Sequence, residues 1–191
     1  MQKLIAIIAF TLAFIFMASA SHAIDLISFH SSEWGMSKQQ LLNNIPVDFK
    51  LVEEGDNLLA FEVADSDGIT TNYGYVFNHD NQLVSVMQVF YPEQKLEGLQ
   101  GILKMHDELV VDIALVYGKP LMNEIIWKVD DAMREQYENN LYQAFKLDYA
   151  NKVAAWAVEE GRFMVSVTTT VVYDNVIATA IIYGNGDYLK E

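Results

Sequence analysis

The sequence predicts an α+β protein: antiparallel sheets with helices packed on one face, arranged as a tandem helix-plus-four-strand repeat. Three observations predict it. Two segments, 38–44 and 99–117, carry helix signals, and each is followed by four strand-like runs. The runs alternate apolar and polar residues, the period of a strand with one buried face. Turn-forming clusters rich in Gly, Asn and Asp separate most of them.

The first helix begins at Trp34-Gly35-Met36-Ser37. Ser37 and Gln40 have capping-box spacing, in which each side chain satisfies the other residue's backbone N–H. Met36 and Leu41 flank this cap as a hydrophobic staple, and Pro46 prevents continuation past about Asn44. Strand-like runs then occupy 49–54, 58–64, 69–77 and 83–91. The turns are Glu54-Gly55-Asp56-Asn57, Asp65-Ser66-Asp67-Gly68 and Asn78-His79-Asp80-Asn81, which reads as a meander. Leu59, Phe61 and Val63 share one face, and Tyr73 and Tyr75 are placed opposite the apolar row, where they would line an exposed sheet face.

The second helix, 99–117, has the clearest pattern. Leu99, Ile102, Leu103, His106, Leu109, Val110, Ile113, Ala114 and Tyr117 form one stripe. Lys104, Asp107, Glu108 and Asp112 occupy the other face. Gly118 suits a left-handed helix end, and Pro120 blocks resumption. Four more strand-like runs follow at 124–129, 153–159, 162–173 and 176–183, with hairpin turns at Glu160-Gly161 and Asp174-Asn175. Between the first two lies 131–149, where Met133, Tyr137, Leu141 and Phe145 recur every fourth residue. That spacing predicts an inserted helix, capped by Asp130 or Asp131 and carrying an Arg134–Glu138 pair, with a loop of helical turns as the alternative. The repeated element order, with Phe61-Glu62-Val63 answering Trp156-Ala157-Val158, suggests an internal duplication, although antiparallel meanders look alike by pattern alone.

Residues 1–23 read as a signal peptide: Lys3 supplies positive charge, Leu4 to Met17 is apolar apart from Thr11, and small residues follow. Cleavage after Ala20 or Ala23 satisfies the small-x-small rule, and Ala23 is preferred. An uncleaved anchor is the alternative, but the run falls short of the roughly 20 residues a bilayer span needs. The expected organisation is therefore a leader at 1–23, a first half at 24–94 and a second half at 95–191 with the inserted helix. The expected destination is the periplasm or the medium, with no transmembrane span in the mature chain.

Composition removes several functions. The 191 residues carry 12 basic and 26 acidic side chains, a formal charge of -14, which argues against phosphate-backbone binding. Cysteine is absent, so disulfides, thiolate metal sites, cysteine nucleophiles and lipobox lipidation are excluded.

The Trp34-Gly35-Met36-Ser37 helix start and the Tyr117-Gly118-Lys119-Pro120 helix exit resemble motifs of small exported bacterial α+β modules. The nearest are the SmpA/OmlA-type outer-membrane-assembly lipoproteins and the tandem beta-lactamase-inhibitor-protein type. The resemblance covers the organisation of residues 29–185 and implies a binding or scaffolding role without catalysis. The chain departs from both types in lacking a lipobox cysteine and disulfide cysteines, so no binding residue is carried over.

No constellation points to catalysis, a cofactor or a metal. His30, His79 and His106 match no metal-ligand spacing, and His106 on the apolar stripe reads as a satisfied core or boundary histidine. No serine sits in a nucleophile elbow. Asp65-Ser66-Asp67-Gly68 starts like a calcium loop, but its twelfth position is Val76, so a hairpin turn is the better account. Glu53-Glu54, Asp130-Asp131 and Glu159-Glu160 are neighbours that point apart on a strand, and read as solvated turn and cap positions. Gly184-Asn185-Gly186-Asp187 has no helix behind it and reads as a tail rather than a phosphate loop.

Trp34, Trp127, Trp156 and 10 tyrosines remain, most of them core candidates. Aromatic residues in an acidic surface would suit a basic protein or peptide, but plain solubility is the better account of the charge. The expectation is a noncatalytic exported module binding a protein or peptide on an open sheet face. The alternatives are a small-ligand carrier and an inhibitor of an exported enzyme.

Overall fold

A computed structural model describes residues 32–64, 70–91, 98–172 and 176–188. The leader at 1–23, His30, the Asp65-Ser66-Asp67-Gly68 turn and the Asp174-Asn175 turn lie outside the described residues. Four helices are described: α1 (Lys38–Asn44), α2 (Gly98–Tyr117), α3 (Asp131–Tyr137) and α4 (Leu141–Lys146). The strands are β1 (Lys50–Glu54), β2 (Leu58–Ala64), β3 (Thr70–Phe77), β4 (Leu83–Phe90), β5 (Met122–Trp127), β6 (Ala150–Val158), β7 (Phe163–Val171) and β8 (Ile177–Asn185). A 3₁₀ turn follows at Gly186–Tyr188.

The strands form one antiparallel sheet in the order β1-β2-β3-β4-β8-β7-β6-β5. This corrects the expected fold class. Strand residues make up 43% of those described, and one sheet stands where helix-covered tandem sheets were predicted. The two helix-and-strand sets differ in build: α1 has 7 residues, α2 has 20, and α3 and α4 interrupt the second set. A free meander ends in a row of unpaired N–H and C=O groups, and pairing β4 with β8 removes two such edges at once. Alternation within a strand cannot reveal that pairing. All nine residues of β7 are buried, as suits a strand with neighbours on both sides.

The chain clusters into two compact units. One holds the described residues of Tyr91–Trp156 with Ser166–Ala180. The other holds those of Ala18–Phe90, with Ala157–Val165 and Ile181–Glu191.

In the second of these units, Leu41 of α1 packs with Phe49, Leu59, Phe61, Tyr73, Tyr75 and Phe77. Tyr73 and Tyr75 are therefore core residues, 9% and 0% exposed, which corrects their placement on an open face. The register gives the reason: Leu59 pairs with Tyr75 and Phe61 with Tyr73, so all four side chains share a face. Phe49 stacks on Tyr73 at 5.4 Å, and Phe61 meets Tyr75 edge-on at 5.7 Å. Gly184-Asn185-Gly186-Asp187 is likewise not a tail. Asn185 is buried at the end of β8, Gly186 N donates to Arg162 O at 2.7 Å, and Asp187 pairs with the Arg162 guanidinium.

The capping box at Ser37 is complete: Gln40 N donates to Ser37 Oγ, and Ser37 N donates to Gln40 Oε1 at 2.7 Å. Ser37→Ala is expected to cost about 1 kcal/mol, read as a shift of the urea unfolding midpoint.

In the other unit, Ile102, Ala144, Phe145, Ala150 and Ile177 form a core, with Leu99, Leu103, Ile125, Trp127, Tyr137 and Tyr149 packed against it. The insertion at 131–149 is two short helices rather than one. Asp130 Oδ1 accepts from Met133 N, and Asn140 Oδ1 accepts from Gln143 N, so each helix has its own cap. Arg134 and Glu138 share the helical bond from Glu138 N to Arg134 O, but no ion pair joins them among the described residues. Gly118 ends α2 at φ +77°, and its carbonyl accepts from Trp156 Nε1 at 2.8 Å.

Candidate functional site

Among the described residues, the histidine whose titration is strongly altered by its surroundings is His106, in the middle of α2. It is fully buried within the stripe that also buries Ile102, Val110 and Ile113. Its Nδ1 lies 2.9 Å from Thr169 Oγ1 on β7, and that hydroxyl lies 2.8 Å from Thr179 Oγ1 on β8. Nε2 has no hydrogen-bond partner; the Asn123 amide on β5 comes close enough to raise the ring's pKa without completing a bond of normal geometry. Burial, assisted by the Lys152 ammonium, pushes the ring down to about 4 against the opposing influence of Asp107 and Asn123. The imidazole is therefore neutral at pH 7.

Above it, Lys152 Nζ of β6 donates to Asp107 Oδ1 at 2.6 Å, with the lysine side chain 15% exposed and the aspartate 58%. A neutral base beside two hydroxyls can relay a proton in principle, but catalysis requires contact with a substrate. His106 has no exposed surface, so the Thr169–Thr179–His106 chain works as a polar seam tying α2 to β7 and β8.

The other candidate residues are dispersed. His79 sits exposed in a turn whose neighbour Asn78 accepts from Asp80 N and Gln82 N. Glu159 and Glu160 occupy left-handed turn positions, at φ 50° and 57°. Asp130 is the helix cap, of the two that spacing offered, and Asp131 lies in the first turn. No three His, Asp or Glu side chains converge among the described residues. Trp34 packs against the Phe61 core, Trp127 against the Phe145 core, and Trp156 is buried.

A surface that the sequence did not single out lies on the outer side of α2. Val111, Leu115 and Val116 are 61%, 82% and 51% exposed, and Leu121, just before β5, is 66% exposed. A groove of about 550 Å³ runs along this helix, lined by Leu103, Lys104, Asp107, Glu108, Val111 and Asp112. Lys104 and Glu108 pair within it at 3.2 Å, while Asp112 has no ion pair among the described residues. The signal was present: the apolar positions of α2 spill beyond the stripe that burial requires, at Val111, Leu115 and Val116.

β5 is the last strand of the sheet. It pairs with β6 from Met122↔Ala155 to Trp127↔Ala150 with no shift of register, and no described strand pairs with its other side.

No protein-family model, curated protein or solved structure gives a significant match to the chain. No helix among the described residues is long and apolar enough to cross a membrane.

Proposed function

We propose that this chain is an exported, noncatalytic module that binds another protein or a peptide, and that the outer side of α2 with Leu121 is the contact surface. The supporting observation is the exposure of Val111, Leu115, Val116 and Leu121 in a strongly acidic chain. Large apolar side chains left in water at one place mark interaction sites more often than isolated ones do. The signal-peptide layout at 1–23 supplies the periplasmic setting, and the resemblance to small exported scaffolding modules points the same way.

The test is site-specific cross-linking in the native periplasm. A photoreactive residue at position 115 should give a discrete adduct, and the same residue at exposed Glu135 should not. Val111→Asp should abolish the adduct while leaving the fold intact, because Val111 is already mostly in water. Absence of any discrete adduct at position 115 would overturn the proposal.

A further inference from the structure

We propose that the site accepts its partner by strand addition: an extended segment bearing lysine or arginine alternating with apolar residues pairs with the outer edge of β5. This rests on the proposed contact surface and goes further, naming the mode of contact and the chemistry of the partner.

The backbone supplies the first argument. Lys128 N donates to Tyr149 O at 2.8 Å, in line with the β5–β6 register, so hydrogen-bonded pairs alternate from that point. The N–H and C=O groups of Asn123, Ile125 and Trp127 then point away from β6. They form a regular row of donors and acceptors at the edge of the sheet. Edge strands in soluble proteins are usually blunted by bulges, inward charges, lysine or proline. β1, the other terminal strand, shows such devices, with a register shift between Leu51 and Glu53 and the charged residues Lys50, Glu53 and Glu54. β5, Met-Asn-Glu-Ile-Ile-Trp, carries one charge, Glu124, and has no lysine, proline or register shift within its span; Lys119-Pro120 and the bond from Leu121 N to Ala155 O, which sets both Leu121 and Met122 opposite Ala155, lie before it. From Asn123 to Trp127 it is the less defended edge.

Charge selects the occupant. Along α2, Asp107 is matched by Lys152 and Glu108 by Lys104, whereas Asp112 and, on β5, Glu124 have no ion pair among the described residues. Lys119, in the connection between α2 and β5, is the one cation there without an ion pair among the described residues, so the unpaired charges of this stretch are negative on balance. A second copy of this chain would bring the same carboxylates and its own formal charge of -14 to the contact. A basic strand meets them favourably, and its apolar side chains have Leu121, immediately before β5, to cover.

The probe is a blocked heptapeptide alternating valine and lysine, titrated into the mature protein at low salt, with a valine–glutamate heptapeptide as control. The lysine peptide should bind at least about tenfold more tightly, and its affinity should fall as salt is added. Asn123→Pro removes one outward N–H without touching the bonds to β6; measured against Asn123→Ala, which loses the same amide beside His106, it should weaken peptide binding at least about tenfold and leave the thermal midpoint nearly unchanged. Independently, peptide binding to the wild-type protein should slow hydrogen exchange at the amides of Asn123, Ile125 and Trp127.

Failure of the lysine peptide to bind, or exchange protection elsewhere than β5, would overturn strand addition. A self-association that Asn123→Pro abolishes would overturn it too, by identifying a second copy as the occupant. If the position-115 adduct persists in full in the Asn123→Pro protein, the contact surface stands and strand addition fails. Loss of that adduct in the wild-type setting sinks both.

Discussion

Between pH 7 and pH 4 the wild-type protein should lose up to about 3 kcal/mol of stability relative to a His106→Gln variant. The cause is the difference between the folded and unfolded imidazole. In the unfolded chain the ring takes up a proton near its ordinary value of 6.5, and in the fold it does so only at about 4. Over that interval the unfolded state binds more protons, so acid favours unfolding. The contribution of the neutral buried ring is fully present above pH 6.5 and disappears as the pH falls toward 4. Urea unfolding followed by tryptophan fluorescence at pH 7, 6, 5 and 4 would measure it. The many carboxylates titrate in both proteins and largely cancel in the difference. Parallel stability curves for the two proteins would show that the ring is not held neutral by burial.

A second substitution separates the causes. Lys152→Met removes the ammonium that disfavours a charged ring and leaves Asp107, which favours one. The ring's folded pKa should rise above 4, and the acid-dependent loss should become smaller. If burial alone acted, Lys152→Met would leave the pH dependence of the His106 contribution unchanged.

Local signals were readable because they depend on residues a few positions apart. The Ser37–Gln40 box needs only its own backbone, and the structure has it complete. The α2 stripe likewise placed His106 in the core or at its boundary, and Gly118 marked the helix end, before any neighbour was known; the structure puts His106 in the core. What the sequence could not provide was register. Period two says that Tyr73 and Tyr75 share a face of β3, but only the pairing Phe61↔Tyr73 and Leu59↔Tyr75 says that this is the buried face. The same ignorance hid the single sheet, since the β4–β8 pairing joins strands about 90 residues apart and leaves no mark on either strand's own pattern. In β7 the alternation of Phe163, Val165, Val167 and Val171 is visible in the amino-acid order, whereas the burial of Ser166, Thr168 and Thr170 is not, because short polar side chains read as solvent-facing. Thr170 is buried at the cost of one partner, Asn151 Oδ1, to which its hydroxyl donates at 2.7 Å. The exposed apolar residues on α2 were missed for a related reason: helical spacing identifies the apolar stripe but cannot tell how wide a stripe the sheet will cover.

Phe145→Ala should be among the most disruptive single substitutions in the unit containing α2, costing about 3–5 kcal/mol of unfolding free energy. Phe145 has no exposed surface and belongs to the core of Ile102 from α2, Ala150 from β6 and Ile177 from β8. Truncation removes the transfer free energy of the ring and leaves a void whose walls belong to different elements, so no single side chain can swing in to fill it. Domains of this size have about 5–15 kcal/mol of stability, so the loss is a large fraction of the whole. Tyr137, only partly buried against the same core and 5.3 Å from Tyr149, provides the comparison. Tyr137→Ala should cost appreciably less, since water already reaches its ring and can follow the truncation. Equal costs for the two substitutions, measured by urea unfolding, would mean that Phe145 is not the closed centre of this core. The ratio also bears on the insertion between β5 and β6. If 131–149 were a loose loop, neither ring would matter; a large cost at Phe145 alone requires α4 to be docked as an integral part of that unit.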